Sequence, residues 1–123
     1  LSAAHYIINA GNPNIILCLR GIRTFEQITS SMRFTPDLAD ILELKEKAVV
    51  RNLPIIFDPS HSTGAARYVT DISKAAIVLG ADGLIIECHD RPEEALCDKD
   101  QCILPEELHK IIEFAENINY PSD

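Results

Sequence analysis

The sequence contains no cluster of lysines or arginines, no Cys-x-x-Cys pair, no low-complexity stretch and no long apolar run. Each absence removes a class of function. With a formal net charge of -8 and no basic patch, nucleic acid and anionic membrane surfaces are not expected partners. The longest apolar runs, such as Ile15 to Leu19 and Leu84 to Ile86, fall far short of the roughly 20 residues a membrane-spanning helix needs. No signal peptide opens the chain, so a cytoplasmic protein is expected. The four cysteines do not have the spacing of a disulfide framework or a zinc site. Cys18 and Cys88 sit in strand-like apolar runs and read as small buried hydrophobes, whereas Cys97 and Cys102 lie in an acidic loop and read as exposed thiols.

What remains is the composition of a globular α/β protein, with 46% hydrophobic and 24% charged residues in a 123-residue chain. Two periodicities alternate. Residues 2 to 10 read as the end of a helix, stopped by Gly11 and Asn12 ahead of Pro13. Asn14 to Leu19, Pro54 to Phe57 and Gly83 to Cys88 are near-continuous apolar runs, the pattern of strands buried on both faces. Between and after them, amphipathic helices are predicted over Pro36 to Asn52, Tyr68 to Leu79 and Pro105 to Asn117. The first of these has Leu38, Ile41, Leu42, Leu44 and Ala48 as inner positions. Strands alternating with helices in this order imply parallel pairing through helical crossovers, in a small open sheet or in a piece of a (β/α) barrel. A complete eight-stranded barrel needs about 250 residues.

Reactive side chains in parallel α/β proteins gather where strands end. Here the first strand runs into Arg20 and Arg23, the second into Asp58, Pro59, Ser60 and His61, and the third into Glu87, Cys88, His89 and Asp90. Taken singly, an arginine after a strand is more often a surface or capping residue, and a histidine between serines is often only part of a turn. Glu87 is more pointed, because a carboxylate ending an apolar strand is costly to bury unless it is paired or metal-bound. Convergence of all of them on one rim is what a binding site requires.

Four segments resemble, in order and spacing, the last three strands and loops of 3-deoxy-7-phosphoheptulonate (DAHP) synthases of the short bacterial type. They are Leu17-Cys-Leu-Arg-Gly-Ile-Arg-Thr-Phe-Glu26, Asp58-Pro-Ser-His-Ser-Thr-Gly64, Gly80-Ala-Asp-Gly-Leu-Ile-Ile-Glu-Cys-His89 and Pro92-Glu-Glu-Ala-Leu-Cys-Asp98. The resemblance implies one partial barrel domain over residues 1–123, about strands six to eight of a (β/α)8 TIM barrel. It implies an enzyme joining phosphoenolpyruvate to erythrose 4-phosphate, on the shikimate route to aromatic amino acids. By motif, His61, Glu87 and Asp98 correspond to three ligands of a divalent metal, and His61 is carried over as a catalytic residue as well. That donor set suits Mn, Fe, Co or Zn. Arg20 matches the arginine that grips the phosphate of phosphoenolpyruvate, and Arg23 is placed to add positive field beside it.

The departures are specific. The family's fourth metal ligand, a cysteine, and its Lys-Pro-Arg-Thr loop, Gly-Ala-Arg loop and strand-five lysine belong to earlier strands than these 123 residues supply. Leu19 stands where glutamate is usual, and Ala65 and Ala66 stand where an arginine pair is common. Three strands alone leave two sheet edges and an apolar face bare, so a homo-oligomer or a second chain completing the barrel is expected. Two other readings stand beside the synthase: a catalytically silent half-barrel with an assembly or regulatory role, and a related 3-deoxy-octulosonate 8-phosphate synthase.

Overall fold

The computed structural model describes residues 2–25, 30–47 and 52–118. Glu26 of the first motif and Ala48 of the second expected helix lie outside the described residues. Helix α1 spans Ser2–Asn9, and Gly11 follows it at φ 97°, a left-handed turn that suits a residue without Cβ. Three short parallel strands form one sheet in the order β1 (Leu17–Leu19), β2 (Ile55–Phe57), β3 (Gly83–Leu84). Leu17 pairs with Ile55 and Leu19 with Phe57; Ile56 pairs with Gly83 and Phe57 with Leu84. Helix α2 (Ala39–Glu46) crosses from β1 to β2. A five-residue helix, α3 (Pro59–Thr63), follows β2 directly, and α4 (Ala66–Val78) carries the chain to β3. The final helix is α5 (Pro105–Asn117).

Among the described residues, the helices cover one face of the sheet. Phe57 of β2 packs with Ile41 of α2 and Ala76 of α4, joined by Leu19 and Leu84 from the flanking strands. Val69 and Ile77 of α4 pack with Ile103 and with Ile111 of α5 in a second cluster. On the opposite face Ile16 and Ile85 are at least half exposed and Cys18 is exposed, while Ile56 of the central strand is half-buried. The expectation that each strand is buried on both faces, with Cys18 inside, is therefore corrected. The apolar runs are real, but only one side of them has helices against it.

Two boundaries differ for physical reasons. Helix α2 begins at Ala39 rather than at Pro36, because Thr35 exchanges two backbone hydrogen bonds with Ile22 and holds the chain extended just before it. In the resulting two-turn helix Ile41 is buried, Leu38 and Leu44 are half-buried, and Leu42, expected to face inward, is exposed. Beyond Leu84 the expected third strand loses its neighbour, since β2 has already turned into α3. The chain stays extended by other means: the Glu87 N–H donates to Ser60 Oγ at 3.0 Å, and the segment around Cys88 bridges in parallel to Ile103.

Candidate metal centre

Asp58 ends β2 and caps α3. Its Oδ1 accepts the His61 backbone N–H at 2.9 Å, and Pro59 occupies the first helical position, where a missing N–H costs nothing. This tight turn fixes His61 over the strand end. The same carboxylate meets the ring, with Asp58 Oδ2 2.9 Å from His61 Nδ1. A carboxylate only accepts, so the ring proton sits on Nδ1 and the Nε2 lone pair is left to face outward.

What Nε2 faces is a pair of carboxylates. Glu87 Oε1 is 3.8 Å away and Asp98 Oδ2 is 3.6 Å away. One ligand atom from each of His61, Glu87 and Asp98 lies within 4.8 Å of the others, and all three side chains are partly buried. The fit to a divalent cation rests on the donors themselves. A pre-set imidazole lone pair and two oxygens of like charge converge where a cation would relieve their repulsion.

The candidate residues from the sequence do not all meet at this point. Arg20 is one step removed, its Nη2 paired at 2.9 Å with Asp58 Oδ2, so one buried carboxylate links the arginine to the histidine. Arg23 is exposed and makes no ion pair among the described residues. Asp58, which in the sequence reads only as a strand end, is 1% exposed. Its position immediately before a proline after an apolar strand is the signal that marks a helix cap. Sequence reasoning also missed Gln101 and Arg33, which both approach Asp98 Oδ1, at 2.8 and 3.4 Å. Nothing in their local sequence points to that role.

None of the cysteines is one of the three clustered residues, although Cys97 hydrogen-bonds to Asp98. Cys97 is exposed, whereas Cys102, expected to be an exposed thiol, is buried, because it immediately follows the 3-10 turn Lys99–Gln101 that packs against α3 and α4. A hydrogen bond with Asp98 and its charge push the Cys97 thiol up, burial and Glu87 push Cys102 up, and burial and Asp58 push Cys18 up.

Comparison with known proteins relates the chain to one family. The model of the DAHP synthetase I family matches residues 1–120. Phospho-2-dehydro-3-deoxyheptonate aldolase of Thermotoga maritima is 47% identical over 103 residues, 84% of this chain and 29% of that protein. A 2-dehydro-3-deoxyphosphooctonate aldolase of Geotalea uraniireducens is 31% identical over 91% of this chain and 42% of its own length. The crystal structure of the T. maritima DAHP synthase superposes with a TM-score of 0.79 at 41% identity, covering 94% of this chain and 32% of that one. The chain thus spans well under half the length of these relatives. Its parallel sheet with helical crossovers is part of a TIM barrel, and the chain belongs to the DAHP synthetase I family.

Proposed function

We propose that the protein carrying this chain is a 3-deoxy-7-phosphoheptulonate synthase. It would condense phosphoenolpyruvate with erythrose 4-phosphate and water, releasing phosphate, at the entry to aromatic amino acid biosynthesis. The observation that carries this reading is the convergence of His61, Glu87 and Asp98, with His61 oriented by Asp58. These three residues would hold a divalent ion, Mn, Fe, Co or Zn, which when bound supplies Lewis acidity toward the aldehyde carbonyl. Arg20, half exposed and anchored by Asp58, would hold the phosphate of phosphoenolpyruvate through a planar guanidinium that can grip two oxygens. Arg23 contributes positive field at the same rim.

Residues 1–123 then act as one partial barrel unit. The fourth metal ligand and the cations for the sugar phosphate come from the remainder of the barrel, in the same polypeptide or in a second chain. The greater identity to the heptonate enzyme, 47% against 31%, favours erythrose 4-phosphate over arabinose 5-phosphate. Phosphate release by the complete protein, assayed with each aldehyde, tests this. Turnover with erythrose 4-phosphate is expected, and turnover with arabinose 5-phosphate alone would replace the reading with the octulosonate synthase. A silent half-barrel is favoured only by the bare sheet face, and it predicts no turnover with either aldehyde even when the barrel is whole.

A further inference from the structure

Asp98 is the one non-glycine residue among those described with a positive φ, 53° with ψ 24°. A left-handed aspartate persists only where its surroundings hold it. Gln101 does so at two points: its backbone N–H donates to the Asp98 carbonyl at 3.1 Å, and its side-chain Nε2 donates to Asp98 Oδ1 at 2.8 Å. Gln101 is only 5% exposed, and the 3-10 turn Lys99–Gln101 that carries it packs against α3 and α4. The amide is thus anchored to the same helix that carries His61.

The two oxygens of Asp98 consequently have different surroundings. Oδ1 is taken by Gln101, whereas Oδ2 lies 3.6 Å from His61 Nε2, inside the cluster. Arg33 also reaches toward Oδ1, at 3.4 Å, from an exposed position on the loop after β1. A long, solvent-exposed ion pair of this kind does little to fix a carboxylate. Left without Gln101, the Asp98 carboxylate keeps only the exposed Cys97 thiol and the long Arg33 pair to orient it, and is free to turn Oδ2 away from His61.

We propose that Gln101 is a positioning residue for the metal centre, an inference that rests on the metal-site reading above. By occupying Oδ1 it commits Asp98 to binding a divalent cation through Oδ2 alone. The effect belongs to the buried amide donor, not to the volume of the side chain, and Arg33 contributes little to it.

The test is Co2+ titration of the complete protein, read by dissociation constant and by the visible absorption of the bound ion, with thermal unfolding of the metal-free protein alongside. Gln101→Met keeps the shape and removes the donor. It should weaken Co2+ binding about 10- to 100-fold and change the absorption spectrum, while the metal-free unfolding midpoint stays near that of the parent. Gln101→Ala should weaken binding at least as much, and Arg33→Ala should leave affinity and spectrum nearly unchanged. The proposal is overturned if Gln101→Met binds Co2+ with the parent's affinity and spectrum, or if Arg33→Ala reproduces the loss instead. Undiminished Co2+ binding by His61→Ala would remove the metal-site reading itself, and with it this role for Gln101.

Discussion

Asp58 joins two side chains to which the proposed function gives separate tasks. Its buried carboxylate receives the ring N–H of His61 and the guanidinium of Arg20, so its charge is shared between the proposed metal ligand and the proposed phosphate grip. Asp58→Asn retains an oxygen that can cap α3 but removes the charge. Metal affinity is expected to fall about 10- to 100-fold, measured by titration, and phosphoenolpyruvate KM should rise, because the Arg20 guanidinium loses the partner that aims it. If only one of the two constants moves, the carboxylate does not couple the two sides.

A second carboxylate has a purely structural task. Asp82 accepts the Ile55 N–H at 2.7 Å and pairs with Lys45 Nζ at 2.6 Å, clasping the start of β2 to the end of α2 and the turn before β3. Burial alone raises its pKa, but the Lys45 hydrogen bond and charge together with the Ile55 N–H outweigh that and hold the carboxyl below its ordinary value. The folded state therefore binds this proton less readily than the unfolded chain does. Its stabilisation is complete above the unfolded pKa of about 3.9 and is lost as pH falls through the lower folded value. Asp82→Asn should accordingly flatten the acid limb of a stability profile measured by chemical denaturation, with little change in its shape at neutral pH.

Among the elements, α3 most repays attention because it was invisible to periodicity. Five residues of Pro-Ser-His-Ser-Thr have no apolar repeat, and only the cap and the proline ahead of it announce a helix. It ends at Gly64, φ 63°, where a Cβ would run into the backbone carbonyl of Ser31. Gly80 is also left-handed, φ 90°, yet a Cβ there meets nothing within 4 Å. Gly80→Ala should cost about 1–2 kcal/mol, the conformational penalty alone, and Gly64→Ala roughly twice that, because the loop after β1 must also move. Urea denaturation of the two variants measures the difference, and equal costs would mean that the loop gives way freely.

The long helices α4 and α5 and the parallel order of strands were legible because their apolar periodicity is carried by many residues at once. His61, Glu87 and Asp98 were legible through motif resemblance, and Glu87 also through the oddity of a carboxylate on an apolar strand. The supporting contacts were not. Arg33 lies 65 positions from Asp98 in sequence, and only the folded loop brings them together. The burial of strand residues was overestimated for a related reason, since an apolar run records that both faces are meant to be covered without saying which residues cover them.

At the scale of the whole molecule, β1 and β3 are both edge strands among the described residues, which also leave Ile16, Cys18 and Ile85 exposed on one face. Apolar surface and open strand edges together favour association. The isolated chain is expected to show concentration-dependent mass in native measurements, and Ile85→Lys should lower that mass. In a closed barrel the same position would face the interior, so Ile85→Lys should there destabilise the protein. A substitution that helps the part and harms the whole distinguishes an unfinished surface from a merely sticky one. A monodisperse monomer at all concentrations would contradict it.

Both open edges run in the same direction, and the segment between them carries its imidazole, its two carboxylates and the buried Asp58 as one preassembled block. In a hybrid barrel assembled from two relatives, the His61, Glu87 and Asp98 donors would travel with this block, while the fourth donor and the cations for the sugar phosphate would come from the strands that receive it.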